Sequence, residues 1–243
     1  MTIAGGRGER LKPLTDTMPK AMVLVNDRPL ISYQVAWFRR YGVTDVVFLC
    51  GYLGEKIRDY FGDGRRFGIR AHYSIEEEPL GRGGAVRQGL ELVPESEELV
   101  IVTNGDNVTD QPLDDLISLH RRKRALATMM LVPYPSQYGV VDAGDDNLVT
   151  AFVEKGALPF WINAGVYVFD RTIQPLLPEK GDHETSTFPA LARQRRLAAL
   201  KSSAFWVTVD SSKDLREVSD RLRGDNRVRR AQPARPIRAA DPA

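Results

Sequence analysis

Residues 4–20 read Ala4-Gly5-Gly6-Arg7-Gly8-Glu9-Arg10-Leu11-Lys12-Pro13-Leu14-Thr15-Asp16-Thr17-Met18-Pro19-Lys20. Gly5, Gly6 and Gly8 leave the main chain bare, so its N–H groups can approach phosphate oxygens closely. Arg10 and Lys20 supply positive charge on either side of that cradle, and Pro13 and Pro19 stiffen the segment between them by fixing φ. A polyphosphate with its metal is the natural guest for such a loop. Two common phosphate motifs do not fit it. The Gly-x-x-x-x-Gly-Lys-Ser/Thr pattern is absent. The dinucleotide fingerprint needs a third glycine where Leu11 stands.

Outward from this loop, the first half alternates strand and helix patterns. Asp45–Cys50, residues 69–74 and Leu99–Asn104 are runs rich in Val, Ile or Leu, and helical stretches cover 30–41, 54–61 and 84–92. Such a rhythm predicts an α/β fold, a Rossmann-like three-layer sandwich around a mixed, mainly parallel central sheet. Binding sites in such sheets gather beyond the carboxyl ends of the strands. The glycine loop and Gly105-Asp106 both fall there. The second half shows strand-like segments at 128–132, 139–142, 148–154, 163–169 and 205–209, with helices at 172–177, 188–195 and 213–222. Its antiparallel insertions are expected to form the floor and wall of a second substrate pocket. Only Met1–Ala4 precede the glycines, whereas a buried strand normally takes about five or six residues. The expectation is that the true reading frame begins further upstream.

Composition bounds the function classes. The chain has 243 residues and a formal net charge of +2. Residues 223–243 form a basic tail read as disordered, with arginines at 227, 229, 230, 235 and 238 and three prolines. The positive charge resides in that tail and the body is slightly acidic, which argues against a nucleic-acid partner. No apolar run approaches the roughly 18 residues of a membrane span, and no signal peptide is evident, so the cytoplasm is expected. Cys50, the only cysteine, reads as a small hydrophobe at a strand end. His72, His120 and His183 have no ligand spacing, and Trp37, Trp161 and Trp206 read as core or pocket wall. Residues 1–222 are expected to be one catalytic domain.

The loop resembles the signature of the sugar-1-phosphate nucleotidyltransferases, Gly-Gly-x-Gly-Thr-Arg-Leu-x-Pro-Leu-Thr followed shortly by Pro-Lys. Among these the chain is most similar to guanylyltransferases for mannose and heptose phosphates, which share segments like Pro79-Leu-Gly-Arg-Gly-Gly84. The resemblance implies a nucleoside triphosphate, with GTP slightly favoured, and a sugar 1-phosphate as partners, with Mg²⁺ as cofactor. Arg10, Lys20 and Lys155 would be catalytic. Ala4, Gly5, Gly6, Gly8, Gly81, Gly83, Asn104 and Gly105 would meet the nucleotide. Gly139, Glu154, Lys155 and Asn163 would meet the sugar phosphate, with Glu184 in a further segment near it. Asp106 and Asp210 would hold the metal.

Asp106 sits behind Gly105 at the end of a strand, where a carboxylate suits an oxygen-ligated cation, although an isolated Gly-Asp is equally a turn. Asp210 is a choice, since many relatives carry the second aspartate where Thr208 stands here; Asp210 would otherwise cap the last helix. Other departures are Glu9 and Arg82 in place of threonine and Leu24 in place of proline. Trp206-Val-Thr-Val-Asp210 leans instead towards cytidylyltransferases, and thymidylyl and uridylyl transfer stay open. A phosphocholine-type acceptor, a non-catalytic regulatory subunit and a homo-oligomer are further alternatives.

Overall fold

Val46-Val47-Phe48-Leu49-Cys50 is buried at every position, and a run with no solvent face forms an interior strand. Runs of this kind organise the computed structural model, which describes residues 1–136 and 138–224. The first half contains β1 (Thr2–Ala4), β2 (Leu24–Val25), β3 (Arg28–Pro29), α1 (Leu30–Arg40), β4 (Asp45–Cys50), α2 (Glu55–Phe61), β5 (Arg70–Ile75), α3 (Gly81–Gly89), β6 (Leu99–Asn104) and β7 (Asn107–Thr109). After it come α4 (Leu113–Lys123), β8 (Ala127–Pro135), β9 (Val140–Ala143), β10 (Val149–Val153) and β11 (Ala157–Asp170). The described chain closes with α5 (Thr187–Arg193), β12 (Leu197–Lys201), β13 (Trp206–Thr208) and α6 (Ser212–Gly224).

Seven strands form the central sheet in the order β12-β8-β11-β6-β1-β4-β5. Every neighbouring pair is parallel except those made by β11, which runs antiparallel to both β6 and β8. One face is covered by α1, α2 and α4 through Ile31, Phe38, Ile57, Phe61, Leu113 and Leu116. The other is covered by α3 and α5 through Val86, Phe188 and Leu191. The sheet between two helical layers is the expected three-layer arrangement, mixed and mainly parallel. The likeness to solved chains given below is to the same fold.

Several elements differ from the sequence reading. The helix α4 was not anticipated, although Leu113, Leu116 and His120 lie on one buried face with Asp114 and Asp115 in the first turn and basic residues in the last. The strand β12 is Leu-Ala-Ala-Leu-Lys, too poor in β-branched residues to read as a strand; pairing with β8 decides it. Residues 172–177 were expected to be a helix, but Arg171–Leu176 is a 3₁₀ turn containing Pro175. β11 is twice as long as expected, because its register shifts let it follow β8 beyond the end of β6.

β1 is short and nevertheless paired on both sides, with the Met1 amine donating to the Ile101 carbonyl at 2.6 Å. Cys50 ends β4, fully buried, and burial pushes its thiol up to about 12. Trp37 is buried and donates to Gln111, and Trp206 donates to the Ala164 carbonyl. Trp161 is instead 41% exposed on the sheet rim, with Lys201 over its ring. The expected tail, 223–243, lies almost wholly outside the described residues, with α6 reaching Gly224. No helix among the described residues is long and apolar enough to cross a membrane.

His183 is fully buried between α5 and the sheet, with the rings of Tyr167, Phe169 and Phe188 at centroid distances of 5.4, 5.9 and 4.8 Å. Neither ring nitrogen has a hydrogen-bond partner. Desolvation holds its pKa down at about 4, so the ring is neutral in the fold. A base with a lowered folded pKa is neutral in both states above the unfolded value of 6.5. Between 6.5 and 4 only the unfolded chain takes the proton, so stability falls with pH across that window. Denaturant titrations at pH 7 and pH 4 are expected to show the wild type losing about 3 kcal/mol more than His183→Leu, at about 1.4 kcal/mol per pKa unit.

Candidate active site

A cleft of about 350 Å³ opens beyond the carboxyl ends of β1 and β6, lined by residues of the glycine loop, Lys20, Asn104, Gly105, Asp106 and Asp210. The loop folds back on itself at Gly8, whose φ of 65° is left-handed and whose carbonyl accepts from Thr15 Oγ1 at 2.9 Å. A Cβ on Gly8 would lie 2.9 Å from Lys20 Cβ, so glycine is required for Lys20 to stand beside the loop. Gly105 serves a similar need, because a Cβ there would lie 2.7 Å from the Ile3 carbonyl. Buried Leu11 anchors the short turn Glu9–Leu11 that projects Arg10 into the cleft.

Two carboxylates meet one ammonium. Lys20 Nζ donates to Asp106 Oδ2 at 2.6 Å and to Asp210 Oδ1 at 2.6 Å, and Arg10 Nη2 donates to the same Asp210 oxygen at 2.8 Å. The pairing of β13 with β7 brings the aspartates together, with Thr208 opposite Asn107 and the Val209 amide donating to the Asp106 carbonyl at 3.1 Å. Asp210 lines the cleft and Thr208 does not. The capping duty weighed for Asp210 belongs to its neighbours. Asp214 Oδ2 accepts from the Asp210 and Ser211 amides at 3.1 and 2.8 Å, and Ser211 Oγ accepts in return from the Asp214 amide at 3.3 Å. This reciprocal box closes the start of α6 and leaves the Asp210 side chain to the cleft.

The donor set fits a hard divalent cation. Asp106 Oδ1 is buried without a hydrogen-bond partner, and a second carboxylate converges on the same cation. Mg²⁺ is commonly held by one or two carboxylates together with substrate phosphates, and here two aspartates stand beside a glycine loop. No group of three or more His, Cys, Asp or Glu side chains suited to a metal occurs among the described residues. Substrate oxygens would therefore have to complete the shell.

Other residues singled out from the sequence are placed differently. Gly83 is buried, and its amide donates to the Gly181 carbonyl at 2.8 Å, while Gly81 is exposed at the start of α3. Arg82 is the residue of that loop that lines the cleft. Gly139, Glu154 and Lys155 belong to the β9–β10 hairpin and the turn after it, where Glu154 and Lys155 are exposed and do not line the cleft. Asn163 donates to Glu184 Oε1 at 2.8 Å and to the Tyr167 hydroxyl at 2.7 Å. Arg82 Nη1 meets Glu184 Oε2 at 2.6 Å. The sequence marked Arg82 only as a departure from threonine and gave no sign of its partner Asp182. Glu9 also lines the cleft, paired with Lys12 at 3.1 Å.

A glycine loop and a lysine held between two aspartates thus line one cleft at the carboxyl edge of a mixed α/β sheet. The family model described as nucleotidyl transferase matches residues 1–224, and the chain belongs to that family. It is 32% identical over 225 residues to a mannose-1-phosphate guanyltransferase of Debaryomyces hansenii. Over 224 residues it is 34% identical to the mannose-1-phosphate guanylyltransferase catalytic subunit beta of Danio rerio. Each match covers 88% of this chain, and the chain spans 61% of the length of these relatives. Among solved structures, HddC from Yersinia pseudotuberculosis superposes with a TM-score of 0.71 at 23% identity, covering 91% of this chain and 97% of that one. A Bacillus anthracis protein solved with sucrose gives 0.73 at 19% identity, covering 93% and 95%.

The capping geometry separates two aspartates that are four residues apart. Asp214→Ala is expected to lower stability by about 1 kcal/mol in denaturant titrations, since three donors lose their acceptor. Asp210→Asn keeps that box intact. Its expected effect is on Mn²⁺ binding, read by paramagnetic resonance with a non-hydrolysable GTP analogue present, which should weaken by roughly tenfold or more.

Proposed function

We propose that this chain transfers a nucleoside monophosphate from a nucleoside triphosphate, GTP by preference, to a sugar 1-phosphate, giving a nucleoside-diphosphate sugar and pyrophosphate in the cytoplasm. The observation that carries this reading is the Lys20 ammonium held between Asp106 and Asp210 at the mouth of the glycine loop. The names of the curated relatives support a guanine nucleotide and mannose 1-phosphate.

The reaction needs no protein nucleophile. An oxygen of the sugar phosphate attacks the α-phosphorus in line and pyrophosphate leaves, so the protein must position two anions and neutralise charge. The main chain of Gly5, Gly6 and Gly8 cradles the triphosphate, with Arg10 beside it. Asp106 and Asp210 would hold Mg²⁺, which supplies Lewis-acid stabilisation of phosphate oxygens when bound. Lys20 has two negative partners and little room to move, at 17% side-chain exposure. Cationic ligands taking over those carboxylates would free its charge for the departing pyrophosphate. Asn163 and Glu184, bonded to each other in this fold, would exchange those contacts for sugar hydroxyls as donor and acceptor. Lys155, on the exposed turn after β10, would close on the sugar phosphate and offset its repulsion from the triphosphate.

Pyrophosphate release measured across a matrix of nucleoside triphosphates and sugar 1-phosphates tests this reading. The highest rate is expected with GTP and mannose 1-phosphate; no release with any pair overturns the reading, and release with another pair reassigns the substrates.

In the productive pair, Lys20→Ala should lower turnover by on the order of 10²–10³. Lys155→Ala should weaken sugar 1-phosphate binding and leave binding of the free nucleotide near wild type, as separate calorimetric titrations would record. An effect confined to the nucleotide would reverse that assignment.

A further inference from the structure

The glycines at the start of α3 pack closely against the chain at 178–183. The Gly83 and Gly84 amides both donate to the Gly181 carbonyl, at 2.8 and 3.3 Å, and the Gly181 amide donates back to the Leu80 carbonyl at 2.7 Å. A Cβ on Gly84 would lie 2.4 Å from the Glu179 carbonyl oxygen, and one on Gly83 would lie 2.6 Å from Pro178 Cγ. Small residues are needed here so that the segment 178–183 can seat against the helix. What this loop presents to the cleft is the side chain of Arg82.

That side chain is committed on three sides. Arg82 Nε and Nη2 donate to the two oxygens of Asp182 at 3.2 and 2.9 Å, and the Arg82 amide donates to Asp182 Oδ1 at 2.9 Å. Its remaining nitrogen, Nη1, meets Glu184 Oε2 at 2.6 Å. The other oxygen, Glu184 Oε1, accepts from Asn163 Nδ2 at 2.8 Å and from the Tyr167 hydroxyl at 2.9 Å. Asn163 Oδ1 accepts from the Gly165 amide at 3.0 Å. One guanidinium on the nucleotide side of the cleft thus fixes a carboxylate that in turn fixes an amide on β11.

We propose that Arg82 is a positioning residue for the phosphorylated sugar, acting through Glu184 and Asn163. The proposal rests on the reading that those two side chains meet the sugar. Its physical basis has two parts. The fork holds the Glu184 carboxylate in one orientation, so that acceptor and donor are presented together. The charge also offsets Asp182 and Glu184, two carboxylates that would otherwise stand unpaired behind the cleft-lining Arg82. Threonine at this position would be too short to reach either acid and would leave both uncompensated.

Calorimetry with a panel of sugar 1-phosphates, and separately with a non-hydrolysable GTP analogue, tests this on the full chain. Arg82→Thr should weaken the sugar phosphate by roughly 10–100-fold, the range for losing a hydrogen bond to a charged group. The nucleotide constant should stay within about twofold, and in turnover the KM for the sugar phosphate should rise more than kcat falls. Arg82→Lys keeps the charge, loses the fork and should recover part of the loss. Arg82→Thr combined with Glu184→Gln should be no worse than Glu184→Gln alone. Equal weakening of both ligands, or additive losses in the double variant, would overturn the role of Arg82. Wild-type protein that binds none of the panel would overturn the sugar-phosphate reading itself, and this proposal with it.

Discussion

Two ionised carboxylates repel one another at the edge of a cleft, and a cation between them offsets that repulsion. Lys20 is that cation, and its 2.6 Å contacts to Asp106 and Asp210 join segments 86 and 190 residues away in sequence. These side chains are partly buried, at 17–32% exposure, and loss of the ammonium would leave like charges facing each other. Much of the surrounding backbone serves this meeting. Gly8 lets the loop fold close to Lys20, β6 delivers Asp106, and the short β7–β13 ladder delivers Asp210. The Ser211–Asp214 box then starts α6 without using the Asp210 carboxylate.

The second organising element is β11. It is the strand that breaks the parallel order, and its length carries it from the centre of the sheet out along β8. Asn163 and Tyr167 lie on it, and both reach Glu184. Through Glu184 the strand connects to Arg82, and so β11 is joined to the cleft-lining Arg82 by a continuous chain of charge-assisted hydrogen bonds. Such a chain resists small displacements, because no member can turn without leaving a partner unpaired. The β9–β10 hairpin stands apart from this network as a two-stranded sheet with Val149, Phe152 and Val153 exposed. A hairpin of that kind gains little rigidity from its own contacts.

The parallel half of the sheet was legible because its strands are unbroken apolar runs separated by amphipathic helices. Elements whose state depends on neighbours were not. Leu197–Lys201 has no β signal of its own and is a strand because β8 offers it an edge. The helix at Leu113–Lys123 has a readable pattern, with apolar residues three and four apart and charges matched to its ends. In the cleft, the glycine loop, Lys20 and Asp106 could be read because each is part of a compact local motif. Arg82 could not, since its partners Asp182 and Glu184 are about a hundred residues away; Glu184 stands in a segment of its own, but nothing local ties it to Arg82.

The sequence by itself determined the alternation of strands and helices, the bare main chain of the phosphate loop and the kinds of charge available to it. These are properties of neighbouring residues: side-chain volume, φ restriction and ionic state. Tertiary structure decided which charges meet. Asp210 rather than Thr208 faces the cleft because of the register of β13 on β7 and the box that follows it. The glycines of the second loop pack against residues 178–183 because of how that segment crosses α3. Register and crossing are set by the burial of distant apolar faces against each other, a global constraint that no single stretch of sequence contains.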